Sequence, residues 1–375
     1  MQLQGRAAFD PSICDESFFD SFEHRGAVFA LFTDAAEPGA GSRPYLGRTR
    51  DLRRRLIRLL RSPQHNSKRL NLREITRRIE FQYAGSAFEL QWLIYRLNRF
   101  HYPQQYRTRL RLKPPALVKV NLSNRFPRCY ATRRISKDDS MYYGPFPSRA
   151  AAERFAADFL DLFKIRRCVE ELDPNPSHPG CIYSQMHMCL APCYGGCSDS
   201  EYHQEVSSVV EFLDSQGYSL VQNVQSERDR ASEQLDFEQA ARLHRKLEKV
   251  HEVTRQWPAL VRNLRDFHAV VIVPGAESST VAFFLVAPNG IHGPEMLRLG
   301  ENVSSPLSLD EQFRILFQNL SNTDLHTTER TWEHLSLLAR WYYSSFREGE
   351  LVMLSSSAEI PHARLIRICR KMMNY

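Results

Sequence analysis

The chain has 375 residues, 42% apolar and 25% charged, an ordinary globular composition with length for two or three domains that each hold a core. No run of 18 apolar residues occurs, and Met1-Gln2-Leu3-Gln4-Gly5-Arg6 has no apolar signal-peptide stretch, so a membrane span and a secretory leader are not expected. Net charge is +7, yet residues 43–111 alone carry 17 Arg and 1 Lys against 4 acids, a local +14 that leaves −7 elsewhere.

A basic N-terminal region on an otherwise acidic chain points to a polyanion partner. The near-monopoly of arginine favours phosphate, because the planar guanidinium fork grips phosphate oxygens bidentately. Residues 1–20 read as a loose tail. Gly26–Phe32 is a near-continuous apolar run, which predicts a buried strand. Pro38–Pro44 predicts a turn-rich loop, and Tyr45-Leu46-Gly47 a short second strand. Leu52, Leu56, Leu59 and Leu60 share one helical face, with Asp51 placed to suit the helix dipole. A second helix is expected over Ala87–Phe100, with Leu90, Leu93, Ile94 and Leu97 as its apolar stripe and Pro103 beyond its end.

Ala116–Leu122 predicts a strand among Pro-bounded loops. Ser148 is placed to cap a helix over Arg149–Phe163. Glu201–Val250 is helical in pattern, as one long helix or a hairpin. His268–Val273 and Thr280–Val286 read as strands. Helical stretches near Leu309–Leu320 and Thr328–Phe346 follow, with Trp341, Tyr342 and Tyr343 expected in the core. The whole is an α+β chain of several domains. Expected boundaries are a tail at 1–20, a basic α/β domain at 21–112, a linker and cysteine module at 113–200, a helical hairpin at 201–255 and a C-terminal α/β domain at 256–375.

Cys168, Cys181, Cys189 and Cys193 fall at C-x12-C-x7-C-x3-C on a stretch too rich in Pro and Gly for a core helix. Four thiolates complete the shell of a zinc ion or of a [4Fe–4S] cluster, and the spacing does not choose between the two. With no secretion signal the compartment is expected to be reducing and cytoplasmic, where thiols bind metals more often than they pair. Cys197 is a spare ligand at most. His187 lies inside the loop and is expected to be solvent-facing. Cys14, Cys129 and Cys369 are isolated thiols.

Three features in this order resemble the UvrC family, the C component of the ABC excinuclease, over about residues 24–290. Tyr45-Leu46-Gly47 with Arg48 and Arg55 is similar to the second half of a GIY-YIG nuclease motif and its helix. Tyr143-Gly144-Pro145-Phe146-Pro147-Ser148 followed by the four cysteines resembles the family's cysteine region, which holds an iron–sulfur cluster. Leu235–Leu243 resembles the UVR motif, a helical hairpin through which the C component docks on the B component of the excinuclease. Phe237, Glu238, Ala241 and Arg242 are then candidate contacts with that partner, while Ala240, Ala241 and Leu243 also suit closing the hairpin.

The resemblance implies a nuclease site that uses tyrosine hydroxyls, a cation on the phosphate and a carboxylate for Mg2+ or Mn2+. Tyr45, Arg48 and Arg55 match its catalytic positions, and Arg48, Arg50, Arg53, Arg54, Arg55 and Arg58 are the candidate contacts to double-stranded DNA. Two positions depart. The first tyrosine becomes Phe29 (or Val28 in the alternative register), and the metal carboxylate, counted back from Pro103, becomes Ile94. Glu89 lies about 140° from Ile94 on the helical wheel and is expected to face elsewhere; Glu89 and Glu80 are the acids left for a relocated ligand. The family's asparagine after the next tyrosine is also missing, since Arg107 follows Tyr106. The resemblance further implies that the RNase H-like nuclease and tandem helix-hairpin-helix domains are not part of these residues. Three functions are therefore expected in order: a DNA-binding repair protein with a degenerate nuclease site, a single-incision endonuclease, and a cluster-based redox sensor that switches DNA affinity.

Overall fold

The computed structural model of the chain describes residues 3–14, 16–34, 43–62, 70–298, 331–354 and 361–373, with 311, 312, 314, 315, 317 and 318 besides. The expected loop at Pro38–Pro44 and the helix near Leu309–Leu320 fall largely outside them. The chain divides into two compact units. One spans Met1–Lys113, His268–Thr328 and Trp341–Tyr375; the other spans Pro114–Phe267 and Glu329–Arg340.

The first unit opens with β1 (Gly5–Ala8), β2 (Ala27–Phe32), β3 (Tyr45–Thr49), α1 (Leu52–Leu60), β4 (Arg78–Tyr83), α2 (Ala87–His101) and α3 (Tyr106–Arg109). Its strands form an antiparallel sheet in the order β1-β4-β2-β3. Every residue of β2 is buried, because helices cover both faces of the sheet. Ala27, Phe29 and Leu31 meet the leucines of α1. Val28, Ala30 and Phe32 meet Leu90, Leu93, Ile94 and Leu97 of α2. The expected loose tail is folded instead: β1 pairs with β4, a 3-10 helix spans Glu16–Ser21, and Phe9, Phe19 and Phe22 are buried. Those aromatics are scattered without a period of 2 or 3.6, so the sequence pattern hid them.

The second unit is built on β5 (Ala116–Val120), β6 (Cys129–Thr132), β7 (Met141–Phe146), α4 (Arg149–Leu160), α5 (Ile182–Gln185), α6 (Asp199–Asp214), α7 (Tyr218–Glu233), α8 (Phe237–Arg255) and β8 (Arg262–Asn263). The sheet order is β6-β5-β7-β8. Ser148 caps α4 as expected, accepting the Ala151 N–H at 3.1 Å. The region expected as one long helix or hairpin is three helices. Residues of α6 (Tyr202, Val206, Val209, Phe212) join the sheet's core, and only α7 and α8 form the hairpin. Residues 256–267 belong here rather than to the C-terminal domain, since β8 completes this sheet against β7. The Tyr143 hydroxyl donates to Asp214 Oδ1 at 2.9 Å and Asn263 Nδ2 donates to the same oxygen at 3.0 Å, so one carboxylate joins β7, α6 and β8.

Back in the first unit, β9 (Ala269–Pro274), β10 (Thr280–Ala287) and β11 (Gly290–Arg298) make an antiparallel meander. The helix α9 (Thr331–Tyr342), which belongs to the second unit up to Arg340, precedes β12 (Glu350–Met353) of the first, which pairs with β9, and α10 (His362–Met373) follows. One face of this sheet packs on Leu365 and Cys369 of α10. The other receives α2: the Phe88 and Phe284 ring centroids are 4.8 Å apart, the Phe88 and Trp341 rings meet at a tilt with centroids 5.1 Å apart, and Trp92 Nε1 donates to the Gly293 carbonyl at 3.1 Å. Trp341 is thus core, as expected, at 3% exposure. No described helix is long and apolar enough to cross a membrane.

Glu89 lies in the first turn of α2, is 3% exposed and accepts the Gly85 N–H at 2.9 Å. Burial pushes its carboxyl up to about 7, and the Gly85 hydrogen bond opposes this only in part. The folded chain therefore holds a proton that the unfolded chain releases at lower pH. The stabilisation is full below about pH 4.5 and is lost as pH rises through about 7. Glu89→Gln is expected to flatten this loss and to exceed the wild type in stability at about pH 8, by on the order of 1–3 kcal/mol. Thermal melting of both proteins across this range checks it, and parallel pH profiles would refute it.

Candidate functional site

A cleft of about 810 Å3 opens beside β3 and α1, lined by Arg48, Thr49, Arg50, Asp51, Arg54, Arg55, Arg58, Leu59 and Leu70. Its origin is the helical period. Leu52, Leu56, Leu59 and Leu60 bury one stripe of α1, which turns the intervening arginines away from the core. Asp51 is the one acid among the described residues that line the cleft, and it is already engaged. It caps α1 by accepting the Arg54 N–H at 2.9 Å and it meets His24 Nδ1 at 2.8 Å. Partial burial pushes its carboxyl up, but these hydrogen bonds and the nearby positive charge outweigh that and hold it below the usual range.

Arg55 Nη2 donates to the Tyr45 hydroxyl at 3.2 Å, so two of the three residues read from the sequence as catalytic stand in contact, and the third, Arg48, lines the same cleft as Arg55. Arg55 Nε is buried with no hydrogen-bond partner among the described residues. Of the six expected DNA contacts, Arg48, Arg50, Arg54, Arg55 and Arg58 line the cleft. Arg53 does not; it pairs with Asp20. Thr49, Leu59 and Leu70 were missed, as nothing in their type signals a phosphate site.

The positions that depart from the resemblance lie in the apolar layers of the sheet. Phe29 lies on the Tyr45 side of the sheet, fully buried, with ring centroids 6.2 Å apart. Val28 faces the opposite layer. Ile94 is 6% exposed within that same opposite layer, beside Val28, Ala30 and Leu46. Neither acid suggested as a relocated ligand lines the cleft: Glu80 pairs with Arg78 Nε at 3.1 Å, and Glu89 with the Gly85 N–H.

In the second unit the cysteine segment runs from the end of the α4 region to α6. Cys181 precedes α5, Cys193 lies in a 3-10 turn over Pro192–Tyr194, and Cys197 sits just before α6. Burial pushes the Cys189 thiol up to about 11; the Ala191 N–H, which donates to its Sγ at 3.3 Å, opposes this, and negative charge on Cys168, Cys181 and Cys193 adds to it. Burial also raises Cys193, with Cys181 and Cys168 adding. The four thiols named from spacing therefore feel one another. Cys197 is raised by burial and by Glu201 and Asp199, with Cys193 its one cysteine neighbour in that respect, so it stands at the margin. Among the described residues no three His, Cys, Asp or Glu are gathered tightly enough to hold a metal ion as they stand. The donor set still suits a thiolate-bound group: four sulfurs on one segment that feel one another's charge, an N–H directed at Cys189, and a guanidinium 3.7 Å from Cys168 Sγ.

The α7–α8 hairpin closes on Val224, Ala231, Leu243 and Leu247, with Ala240 at its edge. Leu235, at φ 61°, turns the chain, and Asp236 caps α8 by accepting the Gln239 N–H at 3.0 Å. Leu235 and Phe237 are 72% and 67% exposed, and Glu238, Ala241 and Arg242 are exposed with them. Ala240 and Leu243 thus close the hairpin, whereas Ala241 does not.

Residues 116–212 match the family described as UvrC/Cho excinuclease, middle domain, and residues 219–253 match the UvrB/uvrC motif. The chain is UvrC-like. It is similar to the UvrABC system protein C of Clostridium acetobutylicum, 27% identical over 67% of this chain and 41% of that one. The same protein of Methanothermobacter thermautotrophicus is 27% identical over 67% of this chain and 42% of its own length. That of Ruminiclostridium cellulolyticum is 29% identical over 48% of this chain and 29% of its own. The UvrC-like chain thus spans about two-fifths of the first two relatives and less of the third. No solved structure matches it.

The site's packing gives a direct check. A Cβ on Gly47 would lie 2.4 Å from Cζ of the fully buried Phe29. Gly47→Ala is expected to destabilise the protein by roughly 1–3 kcal/mol through overpacking. Arg54→Ala, at an exposed position, should stay within about 0.5 kcal/mol. Melting temperatures of the two variants decide it, and equal values would contradict this packing of Phe29 on Gly47.

Proposed function

We propose that this UvrC-like chain acts in nucleotide excision repair as a DNA-binding protein whose GIY-YIG-like site no longer cuts. The observation that carries the reading is the cleft itself: Arg55, in contact with Tyr45, lines it with four other arginines, while the two positions that chemistry requires are Phe29 and Ile94. Phosphate binding needs only the cations. Hydrolysis also needs a hydroxyl to handle the water and a carboxylate to hold the metal. Phenylalanine moves no proton and isoleucine binds no Mg2+ or Mn2+.

The exposed end of the α7–α8 hairpin is the proposed contact with the B component of the ABC excinuclease, through Phe237, Glu238, Ala241 and Arg242. Phe237 has the features of an anchor, a large aromatic presented to solvent on a capped helix. Cys168, Cys181, Cys189 and Cys193 would hold a [4Fe–4S] cluster, or zinc in its place. Either group would tie a segment with little regular structure into one body. The second reading, a single-incision endonuclease, draws on the surviving Arg55–Tyr45 contact.

An incision assay separates the two. Lesion-bearing duplex is incubated with the chain and the B component in Mg2+ or Mn2+, beside Arg55→Ala. Salt-sensitive binding without cleavage is expected; cleavage that Arg55→Ala abolishes would establish the endonuclease instead. Replacing Arg50, Arg54 and Arg58 together by alanine should lower the slope of log affinity against log salt by about 2.7, at roughly 0.9 per phosphate contact. Fluorescence anisotropy of labelled duplex across a salt series measures it, and an unchanged slope would remove the cleft from the interface. Phe237→Ala should abolish co-elution with the B component and leave the DNA affinity as it was.

A further inference from the structure

Arg166 is 2% exposed, and no carboxylate pairs with it among the described residues. Its neighbour Arg167 differs: it reaches the Asp161 carboxylate at 2.7 Å. Arg166 Nε donates to the Phe126 carbonyl at 2.8 Å, and Nη1 donates to the Glu170 carbonyl at 2.6 Å. The same Nη1 lies 3.7 Å from Cys168 Sγ. Its backbone N–H donates to the hydroxyl of fully buried Tyr202 at 2.9 Å, and that hydroxyl donates in turn to the Pro127 carbonyl at 2.9 Å. Two carbonyls thus hold the guanidinium beside the Cys168 sulfur, and a third hydrogen bond fixes the backbone that carries it.

A buried cation without an anion is among the least favourable arrangements in a protein, and arginine cannot escape by losing its proton. Two carbonyls satisfy its hydrogen bonds but carry only partial charge. What would complete the pairing is a negative charge at Cys168. A neutral thiol does not supply one, whereas a thiolate bound to iron does. Four thiolates around a cluster leave the centre negative overall, and outer hydrogen bonds and charges tune such centres.

We propose that Arg166 is the counter-charge of an iron–sulfur cluster held by Cys168, Cys181, Cys189 and Cys193, a positioning residue that fixes Cys168 and favours the more negative redox state. This rests on the four-thiolate reading above. It gives the residue before Arg167 a role that its neighbour, already neutralised by Asp161, does not share.

The test uses the complete chain, purified anaerobically, as wild type, Arg166→Gln, Arg166→Lys and Arg167→Gln. Iron and sulfide are counted, and the midpoint of the one-electron couple is measured by redox titration with dithionite as reductant. Arg166→Gln keeps hydrogen-bonding capacity but not charge, and its midpoint should move to more negative potential. Arg166→Lys, which keeps the charge but not the fork, should fall between it and the wild type. Arg167→Gln should match the wild type. An unmoved midpoint in cluster-loaded Arg166→Gln overturns the proposal and leaves the cluster reading intact. A wild type free of iron and sulfide overturns the cluster reading, and this one with it. Should Arg166→Gln fail to fold, Arg166→Met, of similar length and without charge, takes its place: a cluster-loaded variant with the wild type's midpoint overturns the proposal.

Discussion

The leucine stripe of α1 is the constraint on which the basic surface depends. Leu52, Leu56, Leu59 and Leu60 are driven against β2, and a helix with that stripe buried must turn its remaining positions outward. Those positions are nearly all arginine. Left to itself, such a row of like charges would repel and fray the helix. Here the Asp51 cap and the packing of the leucines hold it. The buried stripe and the charged surface are therefore two sides of one helix.

The same sheet sets the surroundings of Phe29 and Ile94. Residues of β2 alternate between two apolar layers, and both layers are filled. Phe29 packs on Gly47 so closely that no side chain fits between them. Ile94 faces the other layer with Val28 and Leu46. A carboxylate at position 94 would have to be buried among aliphatic groups, at a cost only a bound cation would offset. The acids nearby are held elsewhere: Glu80 by Arg78, and Glu89 by the Gly85 N–H at the start of a helix that packs on the β9–β12 sheet.

The second unit puts its polar groups to structural use. Asp214 collects Tyr143 and Asn263, which brings β7, α6 and β8 to one point. Arg166 collects two carbonyls and approaches Cys168, beside a segment with few regular backbone bonds of its own. The hairpin that follows is thinly packed, four buried residues with a few at their edge, and it presents Leu235 and Phe237 to solvent rather than folding them inward.

Much of this was legible in the residues alone, because periodicity is a local property. The burial of β2, the stripe of α1, the extent of α2, the Ser148 cap and the four-cysteine spacing are all set by neighbours a few positions apart. So was the absence of a hydroxyl at Phe29 and of a carboxylate at Ile94, since no fold gives those side chains either group. What the sequence could not show depends on partners far along the chain. The pairing of β1 with β4 folds the first residues, and the short β8 joins a sheet begun more than a hundred residues earlier. Arg53 leaves the cleft because Asp20 stands beside it, and Glu89 is raised because α2 is buried on both sides. Arg166 sits two residues before a cysteine and looks in sequence like Arg167. Only the folded chain gives one an acid and the other a sulfur, because charge pairing is decided by distance in space and not by order along the backbone.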